Sequence, residues 1–163
     1  MAYSITFRRT EIKFSHLAIP AIRTFAPDWR GRLRYGIICA VSTEAAFQRL
    51  AKSKFRSRFR LSEADRTYIA AKGIETVRRH CEDFIRTRLA PANPPNDGRQ
   101  TPMRGHPVFK AQHACACCCR DCLLKWWKVP KGTDIPPERQ SRIVDFLMAW
   151  IDRQLNDFRT TKH

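Results

Sequence analysis

Residues 62–89 read SEADRTYIAAKGIETVRRHCEDFIRTRL, and this stretch decides the fold class. Ser62 followed three residues later by Asp65 forms a near capping box: the hydroxyl accepts from an early helix amide, and the acid reaches back to the cap amide. The helix it opens is expected to run to about Lys72 and to stop at Gly73, the residue type that most readily turns left-handed after a helix. Ile74, Val77, Cys81, Phe84, Ile85 and Leu89 then recur at three- or four-residue spacing. That period predicts a second amphipathic helix, with Arg78, Arg79, Arg86 and Arg88 on its exposed side.

The same signals extend in both directions. Upstream, Thr43 is placed to cap a short helix bearing Ala46, Phe47 and Leu50. Downstream, residues 90–107 (APANPPNDGRQTPMRGHP) read as one long loop, and loops of this length are commonly functional or disordered. Asn93, Asn96, Asp97, Arg99, Gln100, Arg104 and His106 give it the polar inventory of a site. Pro107 suits the first turn of a helix expected to run through Cys115, Cys119, Cys122 and Trp126 to about Lys128. Pro136 and Pro137 introduce a last helix with Ile143, Leu147, Trp150, Ile151 and Leu155 on its apolar face. The expected fold is mainly α: a compact bundle of four to five helices, one long polar loop, and little or no sheet. Residues 1–42 show no sustained period beyond a short strand at 33–41. They are expected to be an accessory segment, or to lie upstream of a true start near Val41-Ser42-Thr43-Glu44. The basic helical domain is then 43–163.

The chain has 163 residues, with 31 Lys and Arg against 15 Asp and Glu, a net charge of +16, and 43% hydrophobic residues. That apolar fraction excludes a wholly disordered chain, and no uncharged apolar run approaches the length that spans a bilayer. Arg8, Arg9 and Lys13 interrupt any secretory h-region, so a soluble cytoplasmic protein with no membrane partner is expected. The charge excess lies upstream of residue 133, and a polyanion is its natural partner. It is densest from Arg49 to Arg60, which holds six basic residues and no acid. Within it Lys54, Arg56, Arg58 and Arg60 alternate with Phe55, Ser57, Phe59 and Leu61. In an extended chain that alternation would form a comb of cations for successive phosphates, its other side docked on the body. The plainer alternative is a solvated basic segment. Charge alone does not separate DNA from RNA.

Five cysteines fall in eight residues: Cys115, Cys117, Cys118, Cys119 and Cys122, with His113 just before them and His106 upstream. Such crowding makes no sensible disulfide framework and fits a reducing compartment. Thiolates and imidazoles are Zn²⁺ ligands, and Cys119-x-x-Cys122 supplies one chelating pair. Two other readings stand beside the metal site: buried cysteines packed as small hydrophobes on one helical stripe with Trp126, and thiol chemistry with His113 as base to Cys117. No Walker loop, GxGxxG or HExxH is present.

From about Phe47 to Ile151 the chain resembles a bacterial family of small uncharacterised proteins, the domain of unknown function family 4186. The likeness rests on SKFRSRFRLSEADR, on RLAPANPPNDGRQTPMRGHPVFKAQHA, and on CCRDCL with KWW and PKG. The resemblance implies that His106, His113, Cys118, Cys119 and Cys122 act as a set and that Cys115 and Cys117 serve packing. It also marks Trp127 as a departure from a His expected there, and it supplies no activity. The leading expectation is a zinc-stabilised nucleic-acid-binding protein. Lys54, Arg56, Arg58 and Arg60 would hold phosphates, with Arg78, Arg79 and Arg104 as secondary contacts. The five Cys and His residues would fix the loop to the long helix. The rivals are a metal- or thiol-dependent enzyme acting on nucleic acid or nucleotides, with Asn96, Asp97, Gln100 and His106 around its centre, and a basic protein-interaction module.

Overall fold

The computed structural model describes residues 42–160, so the strand expected at 33–41 and the whole of the N-terminal segment lie outside the described residues. Six α-helices, no strand, and one π-helical turn make up the described chain. Helix α1 (Thr43–Ala51) is capped one residue earlier than expected, by the Ser42 hydroxyl accepting from the Ala45 amide at 3.2 Å. Helix α2 (Glu63–Lys72) opens with the full reciprocal box: the Ser62 hydroxyl accepts from the Asp65 amide, and the Asp65 carboxylate accepts from the Ser62 amide at 2.7 Å. Gly73, at φ +80°, ends α2 and begins α3 (Ile74–Phe84), a backbone geometry that strains any residue with a Cβ. The chain then widens into a π turn, Ile85–Leu89, which keeps both Ile85 and Leu89 buried.

The long helix expected from Pro107 to Lys128 is two helices, α4 (Pro107–Ala114) and α5 (Arg120–Trp127). Side chains hold the break between them. Gln112 Nε2 donates to the Cys117 carbonyl at 3.2 Å, and the Trp127 indole N–H donates to the Cys115 carbonyl at 2.9 Å. Ala116 sits at φ +59° between them. Cys115 and Cys117 are therefore core residues of a turn, and the single helical stripe expected from Cys115 to Trp126 is broken there. The 24-residue α6 (Pro137–Thr160) closes the domain.

Helix α6 packs on α3, the π turn and α4, and α2 packs on α3 and α4. Val77, Ile85, Leu89, Val108, Leu123, Ile143, Leu147 and Ile151 form the dry centre, each fully buried. Each such side chain contributes about 1.5–3 kcal/mol relative to exposure. Arg120, also fully buried, donates through Nη1 to the carbonyls of Leu89, Ala90 and Pro91, and through Nη2 to those of Pro130 and Thr133. One guanidinium thus joins the start of the long loop to the segment after α5. The Ile135 amide donates to the Ala90 carbonyl, and Asp134 accepts from the Ala92 amide, closing the same seam.

Candidate metal centre and basic cleft

The turn that breaks the expected helix also builds the most distinctive chemistry in the domain. Ending α4 at Ala114 and restarting at Cys119 brings Cys118, Cys119 and Cys122 together, with their sulfur atoms all within 4.8 Å of one another. Cys118 Sγ and Cys122 Sγ are 3.5 Å apart. Two thiolates on one tetrahedral zinc, at about 2.3 Å each, would be separated by about 3.8 Å, so the spacing fits a shared ion. Cys119 is the N-cap of α5, its sulfur accepting from the Cys122 amide at 3.4 Å, and a helix N-terminus favours negative charge there. The Cys122 thiol is held far below its usual range by hydrogen bonds from the Cys118 and Cys119 thiols and, against burial, by the Arg56 guanidinium. Cys118, the donor to both neighbours, is pushed far up. The negative charge is thus favoured at Cys122, with the Cys118 and Cys119 thiols as its hydrogen-bond donors.

Arg56 is the side chain that sequence pattern misplaced. Residues 54–58 form a turn, with the Ser57 amide donating to the Ser53 carbonyl at 2.9 Å, not an extended comb. Phe55 and Phe59, four residues apart, pack edge to face at 5.2 Å. The turn points Arg56 inward, only 7% exposed, where it donates to the His113 carbonyl and to Cys122 Sγ at 3.2 Å. Lys54, Arg58 and Arg60 remain on the surface. Arg56 is thus a buried partner of the thiols and is corrected from phosphate contact to support of the centre.

The two histidines do not join the sulfur cluster. His106 caps α4: its Nδ1 accepts from the Val108 amide at 3.2 Å, so the ring proton sits on Nε2 and is donated to His80 Nδ1 at 3.1 Å. Neither nitrogen keeps a free lone pair for a metal. His113 donates from Nε2 to the Pro102 carbonyl at 3.2 Å and stacks on Phe59. Its Nδ1 keeps the lone pair. Burial holds His113 below the usual imidazole range, against the opposing pull of the Pro102 and Thr101 carbonyls.

Burial, and then the neighbouring His80, push His106 down from 6.5 to about 4, with Asp65 opposing. The folded state therefore refuses a proton that the unfolded chain accepts. The His106 contribution is complete above pH 6.5 and is lost as the pH falls from there to about 4. Asn at a helix N-cap accepts the same amide without titrating. His106→Asn is expected to flatten the fall in urea midpoint between pH 7 and 5, leaving the smaller slope due to His113. An unchanged slope would show that His106 is solvated in the folded protein.

A cleft of about 800 Å³ lies between the 58–62 segment with α2 on one side and the 103–107 segment with α4 on the other. Arg58 and Arg60 line the first wall, Arg104 and Lys110 the second, with Tyr68 between. Asp65 is the one acid in the lining, and both Lys110 and the Ser62 amide bond to it. Burial raises its carboxyl, but the bonds from Lys110 and Ser62 prevail and hold it below the ordinary range.

Other expected contacts lie apart from both features. Arg78 is paired with Asp145 at 2.9 Å, and Arg79 donates to Thr76. The polar loop bonds within itself and to the segment after α5. Asp97 pairs with Lys131 at 2.6 Å, Gln100 Nε2 donates to Asp97 at 3.0 Å, and Gln100 Oε1 accepts from the Gly98 amide. Asn96 turns the loop at φ +57°. Asp97 and Gln100 therefore shape the loop. Two connections were not legible beforehand, Arg56 to Cys122 and the Thr101 hydroxyl to the Cys118 carbonyl at 2.8 Å, which tie both sides of the cleft to the cysteine turn.

A family model described as Domain of unknown function (DUF4186) matches residues 44–152, which takes in α1 to α5, most of α6, the thiol cluster and the cleft. No solved structure matches the chain.

Proposed function

The chain belongs to the DUF4186 family, and we propose that it is a zinc-binding domain that presents a cationic surface to nucleic acid. The observation that carries the proposal is the position of Arg56. The one inward cation of the basic run reaches the Cys122 sulfur at 3.2 Å, while its neighbours Lys54, Arg58 and Arg60 stay outside. Three thiolates around a divalent ion carry one net negative charge, which Arg56 offsets from outside the coordination sphere. Zinc suits three sulfur donors better than the oxygen-seeking magnesium or calcium. In this reading the metal fixes the cysteine turn, the turn fixes Arg56, and Arg56 fixes the cationic segment. The net charge of +16 supplies the long-range attraction to a polyanion.

Protein purified without added metal should carry about one zinc per chain by elemental mass spectrometry. The loaded protein should bind oligonucleotides with an affinity that falls steeply as salt rises. Reversing Lys54, Arg58 and Arg60 to Glu should weaken that binding by about a hundredfold while leaving zinc in place. Equal affinity in the reversed variant would remove nucleic acid from the reading. A second reading, a metal-dependent enzyme, is favoured by one observation: the cluster supplies three ligand atoms, which leaves a fourth position for water or substrate.

A further inference from the structure

We infer that the cleft between Arg58 and Arg104 is the place where phosphates of a single nucleic-acid strand are held, and that the cysteine turn sets its width. The inference rests on the nucleic-acid reading above and adds the site, the strand class and the link to the metal.

Four cations, Arg58, Arg60, Arg104 and Lys110, line one concavity, against the single carboxylate of Asp65. That acid is already satisfied, bonded to Lys110 and to Ser62. Arg104 has no hydrogen bond or ion pair among the described residues, and Arg58 has only the faces of Phe55, at 4.6 Å, and Phe59 beneath it. Two guanidinium groups on opposite walls therefore keep their donors open, and guanidinium donors match phosphate oxygens in pairs. Arg60 spends one nitrogen on the Ser57 and Phe59 carbonyls, which holds its head at the rim.

The shape selects the strand. Duplex phosphates lie on a convex outer surface and meet exposed cations most readily on a flat or protruding face. Here the cations converge inside a recess of about 800 Å³, on the scale of a small-ligand pocket. A flexible single strand can enter such a recess. Phe59 is stacked on His113 and Tyr68 is set edge to face against His106, so the lining offers less to a base than its four cations offer to phosphates. Recognition is therefore by backbone charge, with little sequence preference.

Both walls are bonded to the cysteine turn. Arg56, two residues before Arg58, bonds to Cys122 Sγ and the His113 carbonyl. Thr101 bonds to the Cys118 carbonyl, and the His113 ring bonds to the Pro102 carbonyl, two residues before Arg104. Loosening the turn would release the two sides of the cleft together.

The test uses the metal-loaded full chain and fluorescent oligonucleotides of one length, single- and double-stranded. Arg58→Gln with Arg104→Gln should lower single-strand affinity at least about tenfold. It should also reduce the salt slope by about 1.4, the value for two lost contacts on a single strand. Lys72→Gln, exposed at the end of α2 and outside the cleft lining, should change affinity less than twofold, and zinc content should be unchanged in all three proteins. An unchanged affinity in the double variant, with binding still lost in the Glu-reversed protein, would overturn the cleft and leave the nucleic-acid reading standing. No binding of any strand by the wild-type protein would overturn both. Stronger binding of duplex than of single strand would overturn the strand class. Saturation by a nucleoside monophosphate or inorganic phosphate at the oligonucleotide's own concentration would reassign the cleft to a small phosphorylated ligand.

Discussion

Arg120→Met is expected to destabilise the domain by about 4 kcal/mol, enough to bring its melting temperature down by about 15 °C. The size follows from what the guanidinium holds. Five carbonyls, from Leu89, Ala90, Pro91, Pro130 and Thr133, converge on its two terminal nitrogens, at distances between 2.6 and 3.4 Å. The Leu89 carbonyl, on a fully buried residue, would lose this partner in a dry site, whereas the Ala90 carbonyl keeps the Ile135 amide. An unsatisfied buried polar group costs roughly 1–3 kcal/mol, and the methionine recovers part of that by filling the volume. Burial lowers the Arg120 pKa, with Asp97 and Asp134 opposing, and the arginine stays charged because its ordinary value is so high. Arg120→Lys keeps the charge but not the two-nitrogen reach, and should lie between wild type and Arg120→Met. Thermal melts of the three proteins at pH 7 decide the matter. A melting temperature within about 3 °C of wild type for Arg120→Met would mean that the five carbonyls find water or one another.

The contrast between the legible and the illegible parts of this chain follows from the range of the interactions. The 62–89 stretch could be read because its signals are local: Ser62 and Asp65 satisfy each other's cap, Gly73 takes the left-handed turn itself, and the apolar period is helical. The helix break at 115–119 could not. Ala116 holds a positive φ that alanine does not favour, and it is kept there by Gln112 and Trp127, which meet the turn only after folding. The Arg comb misled for a different reason. Phe55 and Phe59 are four apart, a spacing that satisfies a period of two and a helical turn alike, so the pattern could not choose between strand and turn. What chose was Arg56, whose partners lie 57 and 66 residues away. Arg120 carries no local signal of burial, since the carbonyls that enclose it come from distant loops. The thiol trio was visible as a cluster of ligands. Its separation from His106 was not, because the helix-capping bond that occupies that imidazole forms only where α4 begins.

Removing the proposed zinc is expected to have the largest effect on the candidate site, and the pattern across cysteines separates coordination from packing. Cys118, Cys119 and Cys122 share one sulfur cluster, whereas Cys115 and Cys117 are fully buried, with thiols pushed far up by burial. Cys122→Ser should drop bound zinc from about one per chain to below about a tenth, since a three-thiolate site has no spare ligand. Cys117→Ala should retain the metal and lose only the packing of a small side chain, about 1 kcal/mol. An ion bound to the folded state adds stability that grows with the ratio of free metal to its dissociation constant, about 4 kcal/mol at a thousandfold excess. A strong chelator should therefore lower the wild-type melting temperature by about 15 °C and leave that of Cys122→Ser unchanged. Acidification should reproduce the loss, because the ligands bind metal as thiolates and protons compete for them. Arg56→Gln supplies the discriminating case: with the sulfurs intact but the offsetting charge gone, zinc should still bind, but about ten- to a hundredfold more weakly. Equal zinc retention in Cys122→Ser and wild type would return the cysteines to the core and leave Arg56 as a buried cation stabilised by one thiolate and the His113 carbonyl.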